Sequence, residues 1–143
     1  MSYTNALFHV VLSTSGRRPS IDAAGAPALY AYIIGVARNM RCTVLGIGGV
    51  EDHVHLLVDL HPDVALSYFV KEIKRSSSLW MGEKIDDFPR HNGWSRGYFA
   101  ASVSYSHRDA VLRYISSQAE HHKDIDAAVE FRVLMEKNGF FHY

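Results

Sequence analysis

Two periods of apolar residues alternate along the chain, and they predict strands and helices in turn. Apolar runs rich in β-branched residues predict four strands, at residues 6–13, 42–46, 53–60 and 98–104. Apolar residues at helical spacing predict four helices, at residues 28–39, 64–84, 107–123 and 127–137. The order β-α-β-β-α-β-α-α is that of an α+β, ferredoxin-like (RRM-like) fold with appended C-terminal helices. We expect a four-stranded antiparallel sheet with the first two helices packed on one face.

Residues that commonly end or cap elements refine these boundaries. Gly48 and Gly49 are expected to break the second strand, and the connection to the third strand is expected to exceed a two-residue turn. Asp63 is a candidate N-cap of the second helix. Ser106 and Asp109 have the spacing of a capping box, which predicts that the third helix starts beside them.

The composition is that of one globular domain spanning residues 1–143. Hydrophobic residues make up 48% of the chain and charged residues 21%, and no apolar run approaches the roughly 20 residues that a membrane helix needs. The N-terminal segment lacks the pattern of a signal peptide. Because Cys42 is the only cysteine, no internal disulfide is possible, and a cytoplasmic protein is expected. The formal net charge is zero, so nucleic-acid binding would have to rest on local clusters of cations.

The third predicted strand carries two histidines on one face. Successive side chains of a strand point to opposite faces, so His53 and His55 share one face with Leu57. Neighbours on one face lie roughly 6.5–7 Å apart, a spacing at which two imidazoles can converge on one cation. A single histidine in a core strand usually makes a hydrogen bond instead, and His9 on the first strand is interpreted in that way. For the pair we favour a divalent metal site, which needs a further ligand.

The third predicted helix supplies candidates for that ligand and for a nucleophile. Tyr114 and Gln118 are four residues apart, which places them on one helix face, and the same stripe continues to His121 and His122. In an arbitrary helix, Tyr114 would be an amphipathic boundary residue and Gln118 a solvated one, and the two histidines would interact favourably with the helix dipole. Beside the histidine pair, Gln118 offers a carbonyl oxygen as a third ligand, and Tyr114 offers a phenol able to form covalent intermediates. A metal that polarises a phosphate, together with a phenol nucleophile, is a complete set for cleaving a phosphodiester.

Two other functions are compatible with parts of the sequence. A histidine-triad nucleotide hydrolase has a similar strand, but it needs a third histidine at the position of Leu57. A non-catalytic RNA- or DNA-binding module on the same sheet would stack bases on aromatic residues of its central strands. Residues 53–60 contain no phenylalanine, tyrosine or tryptophan, whereas Tyr98 and Phe99 fall on the fourth strand.

Two basic clusters are candidate DNA contacts. One lies in the loop after the first strand and the other on the second helix; their members are Arg17, Arg18, Lys71, Lys74 and Arg75. Such clusters are usually solvated. Cations with neighbouring hydroxyl groups nevertheless also form a surface suited to backbone phosphates.

Several segments of the chain together resemble one family. His53-Val54-His55 is similar to the His-hydrophobic-His motif of the HUH endonuclease superfamily. Further segments resemble the single-tyrosine transposases of small bacterial insertion sequences, including REP-associated tyrosine transposases: EDHVHLLVDL, VKEIKRSSS, WSRGYFAASVS, YISSQAEHH and EFRVLMEKNGF. The resemblance covers nearly the whole chain, and the order and spacing of the motifs make it specific.

The resemblance implies a DNA transposase that cuts single-stranded DNA and rejoins it by transesterification. A divalent cation, Mg²⁺ or Mn²⁺, would be bound by His53, His55 and Gln118. Tyr114 would be the nucleophile, giving a 5′-phosphotyrosine intermediate and a free 3′-hydroxyl. The chain would thus be one HUH transposase-like domain.

The resemblance also implies partners. Family members are homodimers in which the tyrosine helix can serve the histidine pair of the partner subunit, and they recognise imperfect DNA hairpins, which the five basic residues above would contact. The zero net charge departs from the basic character usual in the family. A domesticated relative that cuts and rejoins DNA without mobilising an element is compatible with the same residues.

Overall fold

The protein is represented by a computed structural model, which describes residues 1–118 and 127–140. Its sheet has four antiparallel strands in the order β2-β3-β1-β4. The strands are β1, Leu7–Ser13; β2, Thr43–Val50; β3, His53–Asp59; and β4, Phe99–Ser102. With β3 and β1 at the centre, this is the ferredoxin-like topology, and the predicted α+β class is confirmed.

Among the described residues, four helices flank the sheet: α1, Ala26–Asn39; α2, Leu66–Glu83; α3, Arg108–Ser116; and α4, Ala127–Lys137. Short 3-10 helices, Ser15–Arg17 and Tyr105–His107, precede α1 and α3. As predicted, α1 and α2 pack on one face of the sheet, where the main core includes Val10, Leu12, Leu29, Ile33, Val54, Leu56, Phe69 and Ile73. In the described ranges, no helix is both long and apolar enough to cross a membrane.

Helix α3 covers the opposite face of the sheet. Leu7, Leu57 and Ile115 are buried there and form a second, smaller core. Because side chains alternate along a strand, β3 directs Val54, Leu56 and Val58 to the main core and His53, His55 and Leu57 to the α3 face. The first six residues of β3 are all buried. Leu57, where a histidine-triad hydrolase would need its third histidine, is therefore a core residue.

Strand β2 continues through Gly48 and Gly49, so the prediction that they break it is wrong. They pair with His55 and Val54 of β3. A Cβ atom on Gly48 would lie 2.6 Å from the carbonyl oxygen of Ile115, well inside van der Waals contact. Glycine at this position therefore allows α3 to approach the sheet closely, and this approach holds α3 beside the histidine strand.

Three boundaries differ from the predictions. Only the two residues 51–52 join β2 to β3, a tighter connection than expected. Ala65, not Asp63, occupies the N-cap position of α2. His107, not Ser106, occupies the N-cap position of α3, so the predicted capping box does not form.

Helix α3 is also shorter than predicted. It ends at Ser116, because Ser117 leaves helical geometry with φ −102° and ψ 18°. The expectation of one continuous helix as far as residue 123 is therefore wrong. Residues 119–126, which include His121 and His122, lie outside the described residues.

Candidate metal and tyrosine site

His53 and His55 lie side by side on the sheet face that α3 covers. Their exposed fractions are 6% and 1%, and their ring centroids are 5.0 Å apart. The alternation of a strand therefore places both imidazoles on one buried face. This is the arrangement that the sequence pattern predicts.

Each of these two rings is held by a contact at its Nδ1 atom. Nδ1 of His53 lies 2.6 Å from Oδ1 of Asp52, and Nδ1 of His55 lies 2.8 Å from Nε2 of His9. Both rings consequently present Nε2 to the same space. Metal-binding histidines are typically oriented by such a contact at the second ring nitrogen. The interpretation of His9 as a hydrogen-bonded core residue agrees with its position.

A carboxylate that the sequence analysis did not identify faces both Nε2 atoms. Glu130 of α4 is 4% exposed; its Oε2 lies 3.5 Å from Nε2 of His53, and its Oε1 lies 3.3 Å from Nε2 of His55. One ligand atom from each of the three residues lies within 4.8 Å of the others. Two ligand atoms that bind the same cation through bonds of about 2.1 Å lie about 3–3.4 Å from each other. The two distances from Glu130 to the histidines are close to this spacing. The donor set therefore fits a divalent cation.

Tyr114 and Gln118 lie against this group. The Tyr114 hydroxyl donates a hydrogen bond to Oε1 of Glu130, and the Tyr114 ring centroid is 5.5 Å from that of His55. Gln118 is buried just beyond the end of α3, with Oε1 3.4 Å from Nε2 of His53. Its Nε2 donates to the carbonyl oxygen of Tyr114 at 3.3 Å. The structure thus brings the four predicted residues together within one chain, although not on one continuous helix.

Paired charges control the protonation of the His53–Glu130 pair. Burial alone would lower the pKa of His53, but hydrogen bonds to Asp52 and Glu130 outweigh it and raise this pKa to about 9. Burial would raise the pKa of Glu130, but hydrogen bonds from the two histidines and the tyrosine instead hold it well below its usual range. Glu130 is therefore a carboxylate, and His53 carries a proton that a bound cation would replace.

Burial also sets the protonation of Tyr114 and His9. Burial and the adjacent Glu130 carboxylate raise the pKa of Tyr114, so the phenol keeps its proton at neutral pH. The pKa of His9 is lowered to about 3, chiefly by burial and then by the proximity of His55. His9 is therefore neutral, with one N–H donor and one acceptor nitrogen.

The site contains three residues whose roles the sequence analysis missed: Glu130, Asp52 and His9. Glu130 lies four residues before Leu134, and both line the cavity at the histidine pair. In the sequence, the only local indication of a buried Glu130 is therefore its position on the same helix face as this leucine. Asp52 directly precedes His53, so its proximity was visible in the sequence. The contact of His9 depends on strand pairing, for which the sequence holds no local signal.

The space at the histidine pair is small, whereas Tyr114 borders a larger one. The cavity lined by His53, His55 and Glu130 measures about 10 Å³, about the probe volume that one water needs, so it has room for a cation. A cavity of about 550 Å³ lies between β4, α3 and α4 and is lined in part by Tyr114 and His9. A volume of this size is typical of ligand sites.

The loop cluster of cations lies next to this site. Arg17 lines the cavity at the histidine pair, and its guanidinium carbon is 5.1 Å from the ring centroid of Phe131 on α4. Its backbone adopts a left-handed conformation, φ 53°, which residues other than glycine rarely adopt. Arg18 follows it and is exposed. Arg17 thus adds positive charge at the mouth of the histidine cavity.

The helix cluster of cations lines a different cleft. Lys71, Lys74 and Arg75 of α2 border a cleft of about 400 Å³ together with Tyr98. Lys74 anchors the adjacent loop, because its Nζ atom donates to the carbonyl oxygens of residues 95–97 at 2.8, 3.1 and 2.8 Å. Burial lowers the pKa of Lys74. Lys71 and Arg75 are exposed and are the members of this cluster that a ligand in the cleft would meet.

Comparisons with known proteins agree on one family. The sequence model of the family described as "Transposase IS200 like" matches residues 2–118. The transposase for insertion sequence element IS200 of Salmonella typhimurium is 24% identical over 123 residues, covering 83% of this chain and 80% of that protein. The ISDra2 transposase TnpA of Deinococcus radiodurans is 26% identical over 115 residues, covering 78% of this chain and 82% of that protein.

A solved structure shares the fold. The structure of a REP-associated tyrosine transposase bound to a REP hairpin matches with a TM-score of 0.66 at 18% identity, covering 87% of this chain and 73% of that chain. The matched family region includes His53, His55, Tyr114 and Gln118, and the resemblance seen in the sequence motifs is confirmed. The chain belongs to the IS200-like transposase family.

Proposed function

We propose that the protein is an HUH-type tyrosine transposase, a metal-dependent endonuclease and strand transferase for single-stranded DNA. The observation that carries this proposal is the convergence of the Tyr114 hydroxyl with His53, His55 and Glu130 in one buried group. Membership of the IS200-like transposase family supports DNA cleavage and rejoining in general. The group supplies a nucleophile, a hydrogen-bond acceptor that holds it, and cation ligands.

The proposed cation is Mg²⁺ or Mn²⁺, held by His53, His55 and an oxygen ligand. Mixed nitrogen and oxygen donors suit several divalent ions. Glu130 faces both histidines, and Gln118 offers a carbonyl oxygen beside His53. When bound, such a cation polarises the scissile phosphate as a Lewis acid.

Tyr114 attacks the scissile phosphodiester in this proposal. Its phenol oxygen forms a bond to phosphorus, and the bond from phosphorus to the 3′-oxygen breaks. Glu130 accepts a hydrogen bond from the Tyr114 hydroxyl and so holds the phenol in place. The phenol proton passes to solvent, and the departing 3′-oxygen gains a proton from solvent. The products are a 5′-phosphotyrosine link and a free 3′-hydroxyl. Attack by another 3′-hydroxyl reverses the step and rejoins the DNA, so ATP is not required.

Single-stranded DNA with hairpin ends is the proposed substrate. The cavity of about 550 Å³ gives a single strand access to the Tyr114 phenol. Lys71 and Arg75 offer positive charge to backbone phosphates in the α2 cleft. The similar tyrosine transposase of known structure is bound to a REP hairpin, which supports a hairpin as the substrate here.

The proposed reaction is tested with a hairpin from the flanks of the gene, carrying a labelled single-stranded extension, and either Mg²⁺ or Mn²⁺. We expect a cut strand that ends in a 3′-hydroxyl and a second fragment that migrates as a protein–DNA adduct on a denaturing gel. EDTA should abolish both products. Cutting without an adduct, or undiminished cutting in EDTA, would contradict the proposed chemistry.

The double variant Lys71→Ala/Arg75→Ala should weaken hairpin binding and reduce its dependence on salt. Each lost phosphate contact lowers the slope of log affinity against log salt by about 1, so the slope should fall by about 2. Gel-shift titrations at several salt concentrations measure this slope. Arg38→Ala, which removes an exposed cation from α1, is the control. A wild-type slope in the double variant would place hairpin binding elsewhere.

We propose a homodimer whose active sites are each completed within one chain. Tyr114 lies against its own His55, with ring centroids 5.5 Å apart. A mixture of the Tyr114→Phe and His55→Ala variants should therefore cleave no more than the separate variants. Pull-down of differently tagged chains verifies that subunits exchange. Cleavage restored in verified mixed dimers would show instead that the two subunits share each site.

A further inference from the structure

We infer that His9 is a positioning residue for the proposed cation centre: it accepts the Nδ1–H hydrogen bond of His55 and thereby directs Nε2 of His55 at the cation. The inference rests on the proposed function for the cation itself. It assigns a role to a buried histidine that is neither a nucleophile nor a ligand in the proposed chemistry.

Strand pairing fixes His9 beside His55. His9 pairs with Leu57, and Val11 pairs with His55, so the two histidines are diagonal neighbours on one face, within reach of each other's rings. Nε2 of His9 lies 2.8 Å from Nδ1 of His55. Strand β1 is bonded on one side to β3 and on the other to β4. The backbone of the sheet therefore holds both rings in place.

A bound cation requires one particular tautomer of His55. A neutral imidazole carries one N–H and one acceptor nitrogen, so Nε2 of His55 can bind a cation only when the proton is on Nδ1. A buried N–H needs an acceptor, and Nε2 of His9 lies at hydrogen-bond distance. His9 must then carry its own proton on Nδ1.

His9 differs from Asp52 as an orienting residue because a histidine can either accept or donate a hydrogen bond. His53 is oriented by the Asp52 carboxylate, which can only accept. His9 can either accept from His55 or donate to it. When Nε2 of His55 carries a proton toward Glu130, 3.3 Å away, His9 can donate to the Nδ1 atom of His55 instead. His9 thus keeps its hydrogen bond to His55 both with the cation and without it.

The test measures Mn²⁺ affinity by titration calorimetry for the full chain and for three variants. His9→Phe keeps a ring but removes the acceptor, so affinity should fall about 10–100-fold, the usual cost of losing such a partner. His9→Gln can place an amide oxygen near the former Nε2 position and should restore most of the affinity. Phe99→Leu is the packing control, because the Phe99 ring centroid is 5.8 Å from that of His9, and it should retain wild-type affinity.

A second readout is the tautomer of His9, measured by nitrogen-15 NMR of the Mg²⁺-saturated wild-type protein, because Nε2 of His9 can accept from His55 only when it carries no proton. We expect the proton on Nδ1. This readout decides the inference even if His9→Phe does not fold.

Three results would overturn the inference alone: wild-type Mn²⁺ affinity in His9→Phe, an equal loss in Phe99→Leu, or a His9 proton on Nε2 in the Mg²⁺-saturated protein. A wild-type protein that binds neither Mn²⁺ nor Mg²⁺ is a different result. It would overturn the proposed cation centre, and the role of His9 with it.

Discussion

Replacing Tyr114 with phenylalanine should abolish the covalent protein–DNA adduct and lower strand cleavage by at least about 10³-fold, consistent with the loss of an essential nucleophile. Phenylalanine keeps a ring beside His55, whose centroid lies 5.5 Å from the tyrosine ring, but it lacks the oxygen that would bond to phosphorus. Hairpin binding should persist, because the proposed phosphate contacts lie on α2. Denaturing gels measure the adduct, and native gel shifts measure binding.

The matched control for this variant is Tyr105→Phe. Tyr105 is 59% exposed and lies just before α3, so its loss should leave the adduct at the wild-type level. If Tyr114→Phe forms the adduct in undiminished yield, another residue is the nucleophile.

Replacing His55 with alanine should slow cleavage about 10²–10⁴-fold, because a lost cation ligand removes several kcal/mol of Lewis-acid stabilisation. His55 is 1% exposed, and its Nε2 lies 3.3 Å from Glu130, so alanine removes one of the two nitrogen donors. Cleavage rates measured across an Mn²⁺ titration show the effect. The variant should stay near its rate in EDTA at Mn²⁺ concentrations that saturate the wild type.

His61→Ala is the control for the His55 variant, because this partly exposed histidine lies beyond the end of β3. It should cleave like the wild type. Circular dichroism verifies that both variants are folded. A His55→Ala protein that responds to Mn²⁺ like the wild type would exclude His55 as a ligand.

The order of strands and helices could be predicted because its signals are local. The period of two in β3 and the helical spacing in α1 are visible within each segment, and the ferredoxin-like topology follows from their order. The glycines of β2 were misinterpreted because their role is tertiary. Gly48 leaves room for the carbonyl oxygen of Ile115, a residue 67 positions further along the chain.

The site could be predicted only in part, for the same physical reason. His53 and His55 share a strand face, and Tyr114 and Gln118 are four residues apart, so each pair shows in its own segment. Glu130 belongs to the site because α4 lies over the histidine pair. His9 belongs to it because the register of β1 on β3 places His9 diagonally opposite His55. The positions of Glu130 and His9 both depend on how separate elements pack against each other, and no pattern within one segment of the sequence predicts that packing.

Tyr114 should carry the DNA in the cleavage intermediate, and mass spectrometry of the adduct tests this most directly. Trypsin cuts after Arg113 and Lys123, which leaves Tyr114 as the only tyrosine in the peptide spanning residues 114–123. The adduct formed with Mn²⁺ is digested with trypsin and a nuclease, and its peptides are sequenced by tandem mass spectrometry. We predict a deoxynucleotide joined through its 5′-phosphate to Tyr114. The same group found on another residue, with Tyr114 unmodified, would contradict this assignment.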